Sequence, residues 1–163
     1  MIIGGGLARL LPHAPNFAPI AAMALFGGAY LNKKYAIIIP LVAMFISDAF
    51  IGFHDTMIYV YGAFALTGLM GIWLRKHKSI VNVFGATLFS SVLFYLITNF
   101  GVWAQGMYAR DLSGLMQSYI MAIPFFKNTL LGNFFYTAMF FGTYEFVKAL
   151  ASKKSLAISR SKK

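Results

Sequence analysis

The chain contains no cysteine and very few acidic residues. None of its 163 residues is Cys, and only four are Asp or Glu. The lack of Cys excludes disulfides, thiolate metal sites and cysteine nucleophiles. Charged residues of both signs make up 11% of the chain, whereas about a quarter is usual for a soluble domain. The chain therefore lacks the charge with which a water-soluble domain covers its surface.

Catalytic and nucleotide-binding motifs are also missing. The sequence has no HExxH, no P-loop and no nucleophile–base pair, and the glycine run at 4–6 follows no strand. His13, Asp48 and His54 do not show the close spacing of metal ligands. We therefore expect no enzyme, no cofactor and no metal site. Active transport would then need an ion gradient or a separate ATPase.

Hydrophobic residues dominate the chain. They make up 60% of it, and the mean hydropathy is +0.72, which predicts an integral membrane protein. At about 20 residues per span the length allows five or six helices. Five blocks are continuously apolar rather than alternating, which favours helices over barrel strands: Phe17–Leu31, Ala36–Phe53, Met57–Leu74, Ile80–Asn99 and Thr129–Leu150. The predicted fold is an all-α membrane protein, with one bundle domain over residues 1–150 and a basic cytoplasmic tail over 151–163.

The segment Leu112–Pro124 has a different pattern. Its apolar residues recur at the spacing of one helical face: Leu112, Leu115, Met116, Tyr119, Ile120 and Ile123. This predicts a short amphipathic helix that Pro124 ends. It either lies in the membrane interface as a re-entrant or surface helix, or crosses as a sixth span.

The distribution of Lys and Arg distinguishes these two topologies. If Leu112–Pro124 does not cross, eleven basic residues lie on one side of the membrane and three on the other, whereas a crossing gives six and eight. The positive-inside rule favours the first division. We therefore expect five full spans and a cytoplasmic C-terminus. The net charge of +10 sets orientation in this reading, and nucleic acid is not an expected partner.

With this topology, polar side chains converge near the outer face. A concave site with a few convergent polar groups and aromatic walls is the usual form of a small-molecule pocket. The candidate substrate-binding residues are His13, Asn16, Asp48, His54, Asn99, Trp103, Tyr108, Asn128 and Asn133.

Each candidate also has a structural interpretation. A carboxylate within a span, such as Asp48, is costly and faces either a cavity or a bonding partner, for which the candidates are Asn99 and the neighbours of Ser47. Asn16 is a candidate helix N-cap, and Asp55-Thr56 and Asn128-Thr129 are others. Trp103 and Tyr108 are also typical of the aromatic belt at a membrane surface.

Small residues at one-turn spacing occur in the first apolar block: Ala18, Ala22, Ala24 and Gly28. Such spacing lets helices approach closely. It predicts close packing inside the bundle and, more weakly, contact with a partner helix.

Four motifs carry a resemblance to a known family: RLLPHAPNFAP from Arg9, LFGGAY from Leu25, NFGVW from Asn99 and IPFFKNTLLGN from Ile123. From Arg9 to about Tyr144, the chain resembles a family of small, uncharacterised bacterial inner-membrane proteins catalogued as candidate transport proteins. That family is distantly similar to the substrate-binding S components of energy-coupling-factor vitamin transporters. The resemblance implies an outward-facing pocket in a helical bundle, and a separate transmembrane coupling subunit with ATPases.

Two functions are therefore expected as alternatives. The first is a membrane-embedded binding or transport subunit that captures a small polar or vitamin-like solute from outside. The second is a non-transporting accessory subunit of a larger membrane complex. Its support is the shorter apolar segment before the RLLPH motif than in relatives, the many Phe and Met residues, and a basic tail suited to anionic lipid. Both functions place the protein in the lipid bilayer.

Overall fold

The computed structural model describes residues 15–161. Of residues 33, 34, 36 and 154–161 it describes the backbone only. Over this range the chain forms five α-helices and no strand: α1 Ile20–Tyr30, α2 Lys33–Ile51, α3 Met57–Leu74, α4 Ile80–Ala104 and α5 Leu112–Ser161. The all-helical prediction is confirmed. By length and composition, α3 and α4 are apolar enough to span a membrane, whereas the apolar helix α1 and the apolar part of α2 are shorter.

Helix α1 lies at the centre of the bundle. It contacts all four other helices, and nine of its eleven residues are buried. No residue of α1 other than Tyr30 carries a polar side chain, so the helix loses no hydrogen bond to water when every face is covered. Pro19 is its N-cap residue, which makes the prediction of an Asn16 N-cap wrong. At about 17 Å, α1 is shorter than the roughly 30 Å core of a bilayer.

The small residues of α1 allow α3 to approach it closely. Ala22, Ala24 and Gly28 are buried. A Cβ atom added to Gly28 would overlap the backbone carbon of Gly71 in α3, and one added to Gly71 would lie 2.6 Å from the carbonyl oxygen of Ala24. Ala18, before the helix, is half-buried. The predicted close packing thus occurs between two helices of the same chain.

Helices α4 and α5 form an antiparallel pair joined by polar side chains. The Tyr95 hydroxyl donates to the Tyr119 carbonyl oxygen at 2.6 Å, and the Tyr119 hydroxyl donates to the Leu96 carbonyl oxygen at 3.0 Å. Further along, Thr87 and Thr137 lie with their hydroxyl oxygens 3.3 Å apart. Residues with higher numbers in α5 contact residues with lower numbers in α4, so the two helices run in opposite directions. The first half of α5 lies beside most of the length of α4.

The structure corrects the prediction for Leu112–Pro124. Helix α5 is continuous for 50 residues with Pro124 inside it, so Pro124 does not end a helix and Asn128-Thr129 does not cap one. Proline removes one backbone hydrogen bond, but packing on both sides of Pro124 keeps the helix together. The tyrosine bonds precede it, and the Thr137 contact follows it.

One end of the bundle gathers basic side chains and is called the basic end. There Arg75, just after α3, donates to the carbonyl oxygens of Gly28 and Leu31 and thereby caps the C-terminus of α1. The ammonium of Lys78 lies 4.1 Å from the ring centre of Tyr30. The Tyr30 hydroxyl donates to Glu145 of α5 at 2.6 Å. The turn after α3 and the later part of α5 therefore meet at the same end.

Many polar side chains are buried in the bundle, and many large apolar side chains are exposed. The buried residues include ten with polar or ionisable side chains, most of them Ser and Thr. Large hydrophobic side chains are exposed on every helix from α2 to α5, for example Phe89, 60% exposed, on α4. A helix on the surface of a soluble protein turns its charged face outward instead.

Candidate functional site

A cavity of about 470 Å³ opens at the end of the bundle opposite the basic end. It is bounded by the segment before α1 and by the start of α1, the second half of α2, the start of α3, the second half of α4 and the middle of α5. Its polar lining residues are Asn16, His54, Thr56, Tyr95, Thr98, Asn99, Thr129 and Asn133. This end of the bundle is called the cavity end.

Four of the predicted binding residues line this cavity: Asn16, His54, Asn99 and Asn133. They come from two helices, the segment before α1 and the connection between α2 and α3, so only the fold brings them together. Asn16 adopts a left-handed backbone conformation with φ +64°, which Asn tolerates better than most residues. The imidazole Nδ1 of His54 lies 2.9 Å from the hydroxyl of Thr56. Thr56 is the N-cap residue of α3, as predicted, but its side chain makes no capping bond.

The α4 and α5 walls of the cavity hold polar side chains that are bonded within the bundle. The Asn99 amide donates to the Tyr95 carbonyl oxygen at 2.8 Å, and the Asn133 amide donates to the Ser91 hydroxyl at 2.8 Å. Thr129 donates to a carbonyl oxygen one turn earlier in its own helix. These bonds fix the side chains before any ligand arrives, so the cavity is preorganised on this side.

Aromatic rings line the rest of the wall. Phe64 of α3 and Phe94 of α4 lie with ring centres 5.1 Å apart, and Tyr95 and Phe126 lie 4.7 Å apart. All four residues line the cavity. Such pairs hold each other in place and present flat apolar surfaces to the space between the helices.

Four other predicted binding residues do not line the cavity: Asp48, Trp103, Tyr108 and Asn128. Asp48 is fully buried and accepts a hydrogen bond from the Tyr61 hydroxyl at 2.8 Å. This matches its alternative structural interpretation, although the sequence did not identify Tyr61 as the partner.

Trp103 holds the connection between α4 and α5. Its indole nitrogen donates to the carbonyl oxygens of Ala109 and Asp111, at 3.0 and 3.2 Å. The Asp111 side chain in turn accepts from the Gly114 backbone amide in the first turn of α5. The remaining predicted residue, His13, lies outside the described residues.

Most of the lining residues on α4 and α5 were missed from the sequence, although they share helix faces with the predicted Asn99 and Asn133. Tyr95, Thr98, Asn99 and Val102 follow the i, i+3, i+4, i+7 pattern of one face of α4. Likewise Ala122, Phe125, Phe126, Thr129 and Asn133 share one face of α5. The periodicity was therefore present, but in long apolar helices a Thr or Phe on one face does not stand out from its neighbours.

The lining residues carry almost no charge. Among those that the structure describes, none is Asp, Glu, Lys or Arg, and His54 is the only titratable group besides Tyr95. Residues 15–153, whose side chains are described apart from the three already named, contain no group of three potential metal ligands. The described lining thus offers hydrogen-bonding groups and aromatic rings.

The chain belongs to a family of unknown function, DUF6580, whose sequence profile matches residues 1–156. This confirms the resemblance to an uncharacterised family. The description of the family names neither transport nor any relation to the S components of vitamin transporters. Comparison with curated proteins and with solved structures gives no match.

Proposed function

We propose that this protein is a multi-pass inner-membrane subunit that captures a small solute from the outer face for transport. The observation that supports this most strongly is the cavity at one end of the bundle, with walls from all five helices and preset amide and hydroxyl groups. Its volume lies within the range of small-molecule sites, about 300–1,000 Å³. Catalysis has no part in the proposal.

The membrane location is supported by what the bundle buries and exposes. Polar side chains can join helices in a bilayer, where hydrophobic burial supplies no force between them, and the buried Asn133–Ser91 and Thr87–Thr137 contacts join α4 and α5 in this way. Exposed Phe, Leu and Ile side chains on α4 would contact lipid tails. The length and apolar composition of α3 and α4 are consistent with this.

The orientation follows from the charges at the basic end. Arg75, Lys78 and Lys148 lie there, and the positive-inside rule assigns such an end to the cytoplasm. The C-terminus would then be cytoplasmic, and the cavity would open to the outside. Because no P-loop is present, energy for transport would come from an ion gradient or from a transmembrane coupling subunit with ATPases.

The test is to identify what the purified protein retains. The chain is reconstituted in nanodiscs, extracted, and its bound small molecules are measured by mass spectrometry. We expect a solute in wild type, and its loss from Asn99→Leu. Asn82→Leu is the matched control, because Asn82 also lies in α4 and its amide also donates to a backbone oxygen, but at the basic end.

Equal retention by both variants would contradict the proposal, as would a cavity filled by lipid or by a partner's side chains. The second result would instead favour the accessory subunit. That alternative has one specific observation in its favour. An apolar groove between α1 and α5, of about 500 Å³, is lined by Phe26, Met139, Phe140, Thr143, Tyr144 and Val147.

A further inference from the structure

We infer that the cavity selects uncharged, ring-bearing solutes that donate hydrogen bonds, and that it rejects carboxylates of the same shape. This inference rests on the proposed capture function and defines the chemistry of the solute. It follows from the hydrogen-bonding groups that the lining residues of α4 and α5 leave unused, and from the absence of Lys and Arg among the described lining residues, where His54, between α2 and α3, is the one group that could carry positive charge.

Each hydroxyl group on these walls already donates a hydrogen bond within the bundle. Thr98 donates to the Phe94 carbonyl oxygen at 2.8 Å, Thr129 donates to Phe125 at 3.0 Å, and Tyr95 donates to Tyr119 at 2.6 Å. A hydroxyl has one proton and two lone pairs. Each of these groups can therefore only accept a hydrogen bond from a ligand, unless it gives up a bond that stabilises the bundle.

The two asparagines on these walls are oriented by their partners. The Asn99 amide nitrogen faces a backbone carbonyl oxygen, which can only accept. For Asn133 the partner is the Ser91 hydroxyl, whose single proton goes to the Thr87 carbonyl oxygen at 2.8 Å, so Ser91 must accept. In both side chains the amide nitrogen therefore already donates one hydrogen bond within the bundle. The amide oxygen, and at most the second N–H, remain to bond with a ligand.

Hydrogen-bond acceptors therefore outnumber donors on this side of the cavity. A ligand with N–H or O–H groups complements five oxygen atoms here: those of Tyr95, Thr98, Asn99, Thr129 and Asn133. A carboxylate would place its lone pairs against theirs, and no Lys or Arg occurs among the described lining residues. An ion that loses its water without a countercharge is strongly disfavoured.

The ring requirement comes from the aromatic walls. Phe64 and Phe94 form one pair, on α3 and α4, and Tyr95 and Phe126 form another, on α4 and α5. In each pair the two helices pack side by side. A flat ring buries apolar area against these faces. The polar edge of such a solute would be held by the amides and hydroxyls.

Three probes that share one pyridine ring test the inference: nicotinamide, methyl nicotinate and nicotinate. The first is uncharged and donates, the second is uncharged and does not donate through its substituent, and the third is anionic. Binding to the protein in nanodiscs is measured by saturation-transfer NMR titration. We expect nicotinamide to bind roughly 3- to 10-fold more tightly than the ester, and roughly 100-fold or more tightly than nicotinate.

Two valine substitutions assign the effect to the cavity. Thr98→Val should weaken nicotinamide several-fold and leave the ester unchanged, because only the acceptor oxygen is removed. Thr67→Val is the matched control, since the buried Thr67 also donates to a carbonyl oxygen one turn earlier but does not line the cavity. It should change neither probe.

Some results would overturn the inference and others the function. Nicotinate binding as tightly as nicotinamide, equal binding of all three probes, or no nicotinamide binding at millimolar concentration would each overturn the inference. A charged solute recovered from the purified protein would also overturn it, while capture itself would stand. Lipid or partner side chains in the cavity would overturn the proposed function.

Discussion

The contact between α1 and α3 gives a prediction whose size can be worked from the structure. An Ala side chain at Gly71 would place its Cβ 2.6 Å from the carbonyl oxygens of Ala24 and Leu25. Ordinary contact begins at about 3.4 Å, so the helices must separate by roughly 0.8 Å. The atoms in the way are backbone, which no rotamer change can move, and α1 is enclosed by four helices.

Overpacking of this kind costs about 1–3 kcal/mol. The helix propensity of Ala over Gly offsets this by roughly 1 kcal/mol. Gly62→Ala separates the two effects, because Gly62 lies in the same helix and a Cβ there meets nothing within 4 Å. It gains the propensity without the clash. The difference in unfolding free energy between the two variants should therefore equal the cost of the clash alone.

The assay is thermal unfolding in nanodiscs, followed by Trp fluorescence. For a chain of this size about 1 kcal/mol corresponds to roughly 2–4 °C in Tm. The Tm of Gly71→Ala should thus lie several degrees below that of Gly62→Ala. If α1 cannot move, the cost of the clash should be near the upper end of the range of about 1–3 kcal/mol. Equal melting temperatures would show that the two helices are not in backbone contact at Gly71, and the central position of α1 would have to be abandoned.

Three further substitutions test single contacts. Arg75→Gln removes the guanidinium that caps α1 and should lower the unfolding free energy by about 1.5–3 kcal/mol, measured by the same melting experiment. Tyr61→Phe removes the hydroxyl that donates to buried Asp48 and should cost about 1–3 kcal/mol. Trp103→Phe removes both bonds to the 105–111 connection. It should speed hydrogen exchange there without changing solute binding, because Trp103 does not line the cavity.

Each of these has a result that would count against it. An unchanged melting temperature in Arg75→Gln would mean that water replaces the cap without loss. If Tyr61→Phe instead abolished solute retention at full stability, Asp48 would belong to the binding site after all. Loss of binding in Trp103→Phe would assign the indole to the ligand, as the sequence suggested.

The helices could be predicted from sequence where apolar runs were long and uninterrupted. The prediction Met57–Leu74 coincides with α3, and α4 begins at Ile80 as expected but continues to Ala104. The error at Leu112–Pro124 has a physical cause. Proline ends isolated helices because it removes one backbone hydrogen bond, but here the contacts of α5 with α4 on both sides of Pro124 stabilise the helical conformation.

The binding residues were less predictable than the helices. Asn99, Asn133, His54 and Asn16 were identified by type and by the end of the bundle they occupy, and all four line the cavity. Asp48 is also polar and was also expected at that end of the bundle, but it accepts a hydrogen bond from Tyr61 and does not line the cavity. Nothing in the order of residues distinguishes a polar group that faces a cavity from one that faces another helix.

The sequence by itself determined that the chain forms apolar helices, and it predicted that His, Asn and acidic side chains gather near one end of the bundle and most basic side chains near the other. That information is local, because hydropathy and helical period depend on residues a few positions apart. Only the tertiary structure decided which helix lies in the centre, which side chain meets which partner, and which oxygen atoms remain for a solute. The Asn133–Ser91 bond joins residues 42 positions apart, and such a pairing exists only once α4 and α5 have packed together.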